Sequence, residues 1–129
     1  MNHPNILIVE DNQANFAVLD YLLRAHGFHV LAAGNGREAL DVLAREPVDL
    51  VLCDMQMPVM DGYEFARCTR ANPRYARLPL LAVTASSMAG DRTRVLAAGF
   101  DDYFSKPIDP ETFVDAMEHH LPPALRRAR

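Results

Sequence analysis

The chain has 129 residues, half of them apolar and 23% charged, with a net charge of −4. These figures fit one ordinary globular domain with a full core and exclude a protein that binds nucleic acid over its whole surface. No apolar run approaches the roughly 20 residues of a membrane span, no signal peptide is visible, and two cysteines are too few for a disulfide framework, so a reduced, cytoplasmic protein is expected.

Asn5-Ile6-Leu7-Ile8-Val9 reads as a buried strand running into Glu10-Asp11. A helix follows from about Gln13 to His26, with Phe16, Leu19, Leu22 and Leu23 on one face and Gly27 closing it. His29 to Ala33 is a second strand, and Gly34-Asn35-Gly36 turns into a helix that Pro47 stops. The next stretch, Val48 to Cys53, is apolar without alternation, as in a strand buried on both faces. It breaks off in Asp54, with Pro58 in the turn beyond. Asp61-Gly62-Tyr63-Glu64 is a capping box that opens a third helix, ending before Asn72-Pro73. Leu80 to Val83 is a fourth strand, ending in Thr84. Ser86 or Ser87 caps a fourth helix, carrying Met88, Val95 and Leu96 and closed by Gly99. Asp102-Tyr103-Phe104 is a short fifth strand leading to Ser105-Lys106-Pro107. Asp109-Pro110 is expected to cap and open a fifth helix, with Phe113 and Met117 on its inner face and Pro122-Pro123 ending it.

Five strands alternating with five helices call for an α/β, three-layer doubly wound domain. One domain spans 1–129, with a core from about 4 to 121 and a C-terminal tail, 122–129. The basic end, Arg126-Arg127-Ala128-Arg129, is expected to be solvated. His119 and His120 face different directions on a helix and make a poor metal pair. Asp101-Asp102 is expected to be a strand-entry turn.

Four of the strands end in a group of chemical interest: Glu10-Asp11, Asp54, Thr84 and Lys106. A parallel sheet brings all of its C-terminal ends to one rim. With the strand order 2-1-3-4-5, the acidic pair lies beside Asp54, and Thr84 and Lys106 lie beyond. Asp54 alone could be a turn residue or a helix cap. The cation count weighs against that: Lys106 is the single lysine beside twelve arginines, and it falls on this rim. Three carboxylates against one ammonium carry about −2, an unfavourable cluster unless it takes up a divalent cation or a proton. All-oxygen donors suit Mg²⁺ or, next, Mn²⁺. A phosphoryl group could place its oxygens on the metal, the Lys106 ammonium and the Thr84 hydroxyl, with Asp54 as nucleophile.

Glu10-Asp11-Asn12, Asp54 within Asp54-Met55-Gln56-Met57-Pro58, Met60-Asp61-Gly62, Thr84-Ala85 and Lys106-Pro107, in that order, resemble the receiver domain of two-component response regulators. The resemblance implies a flavodoxin-like five-stranded parallel sheet of order 2-1-3-4-5, an order that general accounts of doubly wound folds already give for this family. It implies that Asp54 accepts phosphate from a histidine kinase or a histidine phosphotransfer protein. Asp11, Asp54 and the backbone carbonyl of Gln56 would bind Mg²⁺, and Glu10 would orient a metal-bound water. Thr84 and Lys106 would contact the phosphoryl oxygens, and Ala85 would leave them room. Tyr103 would be the aromatic switch, and Pro107 would follow a cis peptide bond. The surface of the fourth helix, fifth strand and fifth helix would change on phosphorylation. No enzymatic output, direct nucleic-acid binding or membrane contact is expected, and the downstream protein target is unnamed.

A receiver that passes phosphate onward in a hybrid-kinase relay is the alternative. Two distant rivals stand beside it. Gly34-Asn35-Gly36-Arg37-Glu38-Ala39 fits a relaxed dinucleotide-binding pattern, with Asp54 twenty residues on, but leaves Glu10, Asp11, Thr84 and Lys106 without a role. A haloacid-dehalogenase-like phosphatase would want a second acid where Gln56 stands.

Overall fold

The computed structural model describes residues 3–85 and 91–127. Among them, five parallel strands form one sheet in the order β2-β1-β3-β4-β5. The strands are β1 (Asn5–Val9), β2 (His29–Ala33), β3 (Leu50–Cys53), β4 (Leu80–Thr84) and β5 (Asp102–Ser105). The helices are α1 (Gln13–Ala25), α2 (Gly36–Arg45), α3 (Gly62–Ala71), α4 (Asp91–Ala97) and α5 (Phe113–Glu118). Ser86, Ser87 and Met88 lie outside the described residues, as do Ala128 and Arg129.

The unbroken apolar runs are the central strands. β3 and β4 are buried at every position, and β1 at every position after Asn5. Successive side chains leave opposite faces of a strand, so each central strand feeds two cores. Leu7, Val9, Val51, Cys53, Leu80 and Ala82 pack with Ala39, Leu43, Phe65 and Val95 from α2, α3 and α4. Ile6, Ile8, Leu50, Leu52, Leu81 and Val83 pack with Leu19, Leu23, Phe113 and Met117 from α1 and α5. The edge strands β2 and β5 are only half covered.

Local chemistry sets the element boundaries. The side-chain oxygens of Asn12, Asn35 and Asp61 accept the N–H groups of Asn15, Glu38 and Glu64, capping α1, α2 and α3. Gly27, with φ +88°, lets the Phe28 N–H reach back to the Leu23 carbonyl and close α1. In α4 Val95 is buried, but Leu96 is 37% exposed.

Two expectations at the C-terminal end are corrected. α5 begins at Phe113, not at Asp109-Pro110. The Asp109 carboxylate accepts the Glu111 N–H at 2.9 Å, and its carbonyl takes Thr112 and Phe113. Asp109 thus caps an irregular first turn, as its residue type predicts, and regular α-helix starts only at Phe113. In the described part of the basic tail, Arg126 stays exposed, but both it and Arg127 are tied to the domain. The Arg127 guanidinium bonds the carboxylate of buried Glu118 at 3.0 Å and that of Asp115 at 2.7 Å, while Arg126 bonds the carbonyls of Leu121 and His119. A carboxylate as buried as that of Glu118 demands a partner, and the tail supplies it. His120 is likewise engaged, with Nε2 2.8 Å from the Asp102 carboxylate.

Candidate functional site

Three backbone bonds just past the strand ends fix the rim. The Glu10 N–H donates to the Ala33 carbonyl at 2.9 Å, Asp54 to Val9 at 2.9 Å and Lys106 to Thr84 at 2.8 Å. Each continues the parallel ladder by one step, so these side chains start from rigid backbone rather than from free loops. The loop after Asp54 is pinned by the start of α3. A Cβ on Gly62 would stand 2.7 Å from Met55 Sδ and 2.9 Å from the Asp54 carbonyl oxygen. Only glycine permits so close an approach. Val59, in the same loop, holds φ +69° and is 81% exposed.

On this rim one carboxylate oxygen from each of Glu10, Asp11 and Asp54 lies within 4.8 Å of the others. Glu10 is buried, Asp54 half-buried and Asp11 exposed. The Lys106 ammonium donates to Glu10 Oε1 at 2.8 Å and stands 3.8 Å from Asp54 Oδ1. The deep acid therefore holds the ammonium, and the ammonium faces the shallower one. The second oxygen of Glu10 accepts the Asn12 N–H at 3.2 Å, and Asp54 Oδ1 faces the Gln56 N–H at 3.4 Å. Burial first, and then the charges of Asp54, Glu10 and Asp61, push the neighbouring Cys53 thiol well above its ordinary range. The same negative field makes the three-carboxylate cluster a fit for a hard divalent cation, since every donor is an oxygen.

Thr84 is buried at the end of β4, and Ala85 beside it is exposed. Half-buried Tyr103 and Thr84 line one cavity of about 410 Å³ together with Met55, Met57, Asp61, Tyr63, Arg94 and Val95. The Lys106–Pro107 peptide is cis. Among the described residues, Glu10, Asp11, Asp54 and Lys106 thus converge, with Thr84 and Tyr103 on the adjoining cavity. Sequence reasoning did not find Arg94 or Tyr63. Their guanidinium and ring meet at 5.0 Å across two helices, and no local pattern signals such a contact.

The glycine pattern after β2 is spent on the fold. The Gly34 N–H donates to the Glu38 carboxylate, Glu38 N–H to Asn35, and Gly36 N–H to the Met60 carbonyl. A dinucleotide phosphate would need those donors free and would meet an acid in their place.

A doubly wound sheet of this order, with an acidic rim and one lysine, defines the receiver class of two-component signalling. The chain belongs to that family: the model of the response regulator receiver domain matches residues 6–118. It is 34% identical over 117 residues to the polar-differentiation response regulator DivK of Brucella anthropi, covering 91% of this chain and 95% of that protein. It is 43% identical over 126 residues to the sensor histidine kinase GacS of Pseudomonas protegens, covering 95% of this chain but 14% of the kinase. Among solved structures it resembles the receiver domain of a sensor histidine kinase from Pseudomonas aeruginosa, which has magnesium coordinated in its active-site cleft. The TM-score is 0.84 and the identity 35%, covering 92% of this chain and 97% of that one. The chemotaxis response regulator CheY4 of Vibrio cholerae matches with a TM-score of 0.86 and 28% identity, covering 93% of this chain and all of that one. Among the described residues no helix is long and apolar enough to cross a membrane.

Proposed function

We propose that this single domain is a phospho-accepting signalling switch of the cytoplasm. Asp54 takes a phosphoryl group from the phosphohistidine of a histidine kinase or a histidine phosphotransfer protein. An Asp54 carboxylate oxygen bonds to phosphorus as the bond from phosphorus to the histidine nitrogen breaks, and the freed imidazole takes a proton. The observation that carries this reading is the Asp54 carboxylate facing an ammonium 3.8 Å away, while two more carboxylates share its rim.

Asp11, Asp54 and the Gln56 carbonyl would hold Mg²⁺, with Glu10 orienting a bound water. The metal would supply positive charge against the phosphoryl oxygens. Lys106, anchored by Glu10, pairs with a phosphoryl oxygen and loses little freedom in doing so. The Thr84 hydroxyl binds another, and exposed Ala85 leaves that side of the site open. As Thr84 moves toward the phosphate, the Tyr103 ring turns inward into the adjoining cavity. The surface formed by α4, β5 and α5 then shifts between two populations. The protein acts as an acceptor and not as a turnover enzyme beyond its own phosphorylation and dephosphorylation.

A second reading, a receiver that hands phosphate onward within a hybrid-kinase relay, is favoured by the 43% identity to a sensor kinase. Both are tested by profiling phosphotransfer from purified, radiolabelled histidine kinases and phosphotransfer proteins to the wild type and to Asp54→Asn. Transfer to the wild type alone supports the acceptor role. Return of label to a second phosphotransfer protein marks the relay. Equal labelling of Asp54→Asn contradicts both.

A further inference from the structure

α4 is held to the domain by little apolar surface. Of its described side chains only Val95 is buried, and Arg92, Thr93, Arg94, Leu96 and Ala97 are exposed. Two arginines tether it from opposite sides. Arg92 reaches the Asp102 carboxylate on β5 at 3.6 Å, and the Arg94 guanidinium lies 5.0 Å over the Tyr63 ring on α3. An element with so few buried contacts belongs to the low-stability part of a fold, so single tethers decide where it sits.

The two ends of the Arg94–Tyr63 stack differ in rigidity. Tyr63 follows Gly62, whose backbone is pressed against Met55 and the Asp54 carbonyl. The Tyr63 backbone therefore starts from a segment packed against the chain around the acceptor aspartate. Arg94 stands next to Val95, and both line the cavity that Thr84 and Tyr103 also line. Any movement of Thr84 and Tyr103 within that cavity presses on the wall that α4 provides. The stack is favourable only while α4 stays where it is, so its free energy counts for one position of the helix and not for the other.

We propose that Arg94 and Tyr63 form a latch that sets the threshold of the switch, holding α4 against α3 until Asp54 is phosphorylated. This rests on the switch reading above. Arg94 is a positioning residue here, acting through α4 on Thr84 and Tyr103. A cation stacked on an aromatic ring at an exposed site shifts an equilibrium about two- to fivefold. Where the competent state is the minor one, the rate of reaction with a small donor follows its population. Release of the latch therefore speeds phosphorylation by the same factor.

The test is the initial rate of Asp54 phosphorylation by phosphoramidate in Mg²⁺, read by intact mass, with the melting temperature measured alongside. Tyr63→Leu removes the ring and is expected to raise the rate about two- to fivefold, whereas Tyr63→Phe keeps the ring and the wild-type rate. In an Arg94→Gln background, Tyr63→Leu adds nothing further, because the pair is already broken. Equal rates for Tyr63→Leu and Tyr63→Phe overturn the latch, as does a full Tyr63→Leu effect in the Arg94→Gln background. A lower melting temperature with an unchanged rate would make the stack merely structural and also overturns it. Phosphate on Asp54 with no Tyr63 effect sinks the latch alone, while no phosphate on wild-type Asp54 sinks the switch reading and the latch with it.

Discussion

Replacing Asp54 by Asn is expected to stabilise the metal-free protein. In the native rim, Asp54 shares a 4.8 Å sphere of carboxylate oxygens with Glu10 and Asp11. At that separation each like-charge pair costs about 3–4 kcal/mol at an effective dielectric near 20. The substitution removes two such repulsions. It also removes the attraction to Lys106 at 3.8 Å, about 4 kcal/mol on the same scale. The difference favours the variant by about 2–3 kcal/mol, reduced to about 1–2 kcal/mol because Asp11 is exposed and its charge is screened. The Asn carbonyl oxygen keeps the place of Asp54 Oδ1 opposite the Gln56 N–H, so that contact survives. For a domain of this length the gain is a rise of roughly 3–8 °C in melting temperature. The assay is thermal unfolding in chelator and then in excess Mg²⁺. The wild type gains stability on adding Mg²⁺, by linkage to a bound cation, and Asp54→Asn gains less. An equal or lower melting temperature for Asp54→Asn in chelator would refute the repulsion argument.

Three further outcomes are expected. Lys106→Arg keeps the charge but not the compact ammonium seated on Glu10, so phosphate-dependent chemical-shift changes in α4 and β5 vanish, and normal shifts in that variant would make the lysine incidental. Val59→Gly relieves a β-branched residue held at φ +69°, raising stability by about 0.5–1 kcal/mol net of the glycine's chain entropy, and urea denaturation with an unchanged or lower midpoint would deny the strain. Cys53, protonated in the fold and with its pKa raised, lowers native stability only as pH climbs above the ordinary thiol value of 9.0, because there the unfolded chain binds fewer protons. In the native protein at pH 8 iodoacetamide is therefore expected to label exposed Cys68 and spare buried Cys53, and equal labelling read by peptide mass spectrometry would contradict the burial.

Much of the fold is legible in the chain because two local signals are clean. β1, β3 and β4 are unbroken apolar runs because both their faces are covered, and Asp61 announces α3 by its cap. The rim residues are legible for the same reason, since each follows directly on a strand that fixes its position. What stays hidden depends on partners far away in the chain. Asp109 caps the turn it opens, but regular helix waits until Phe113, and no residue nearby in sequence marks that delay. Arg126 and Arg127 look like a free basic end, yet a carboxylate buried on α5 draws the tail in. Arg70 bonds the carbonyls of Tyr75, Leu78 and Gly99 and the carboxylate of Asp101, tying α3 to the entries of β4 and β5. Nothing near Arg70 in sequence marks it as such a hub, because its partners come together only in the folded chain.

The central claim is that one carboxylate, on the end of β3, takes the phosphate. The most direct measurement is to incubate the protein with acetyl phosphate and Mg²⁺, then map the modified peptide by mass spectrometry with and without hydroxylamine. A single hydroxylamine-labile phosphate on Asp54, absent in Asp54→Asn, is the expected result. An unmodified Asp54 peptide, or a phosphate carried elsewhere, would contradict the account.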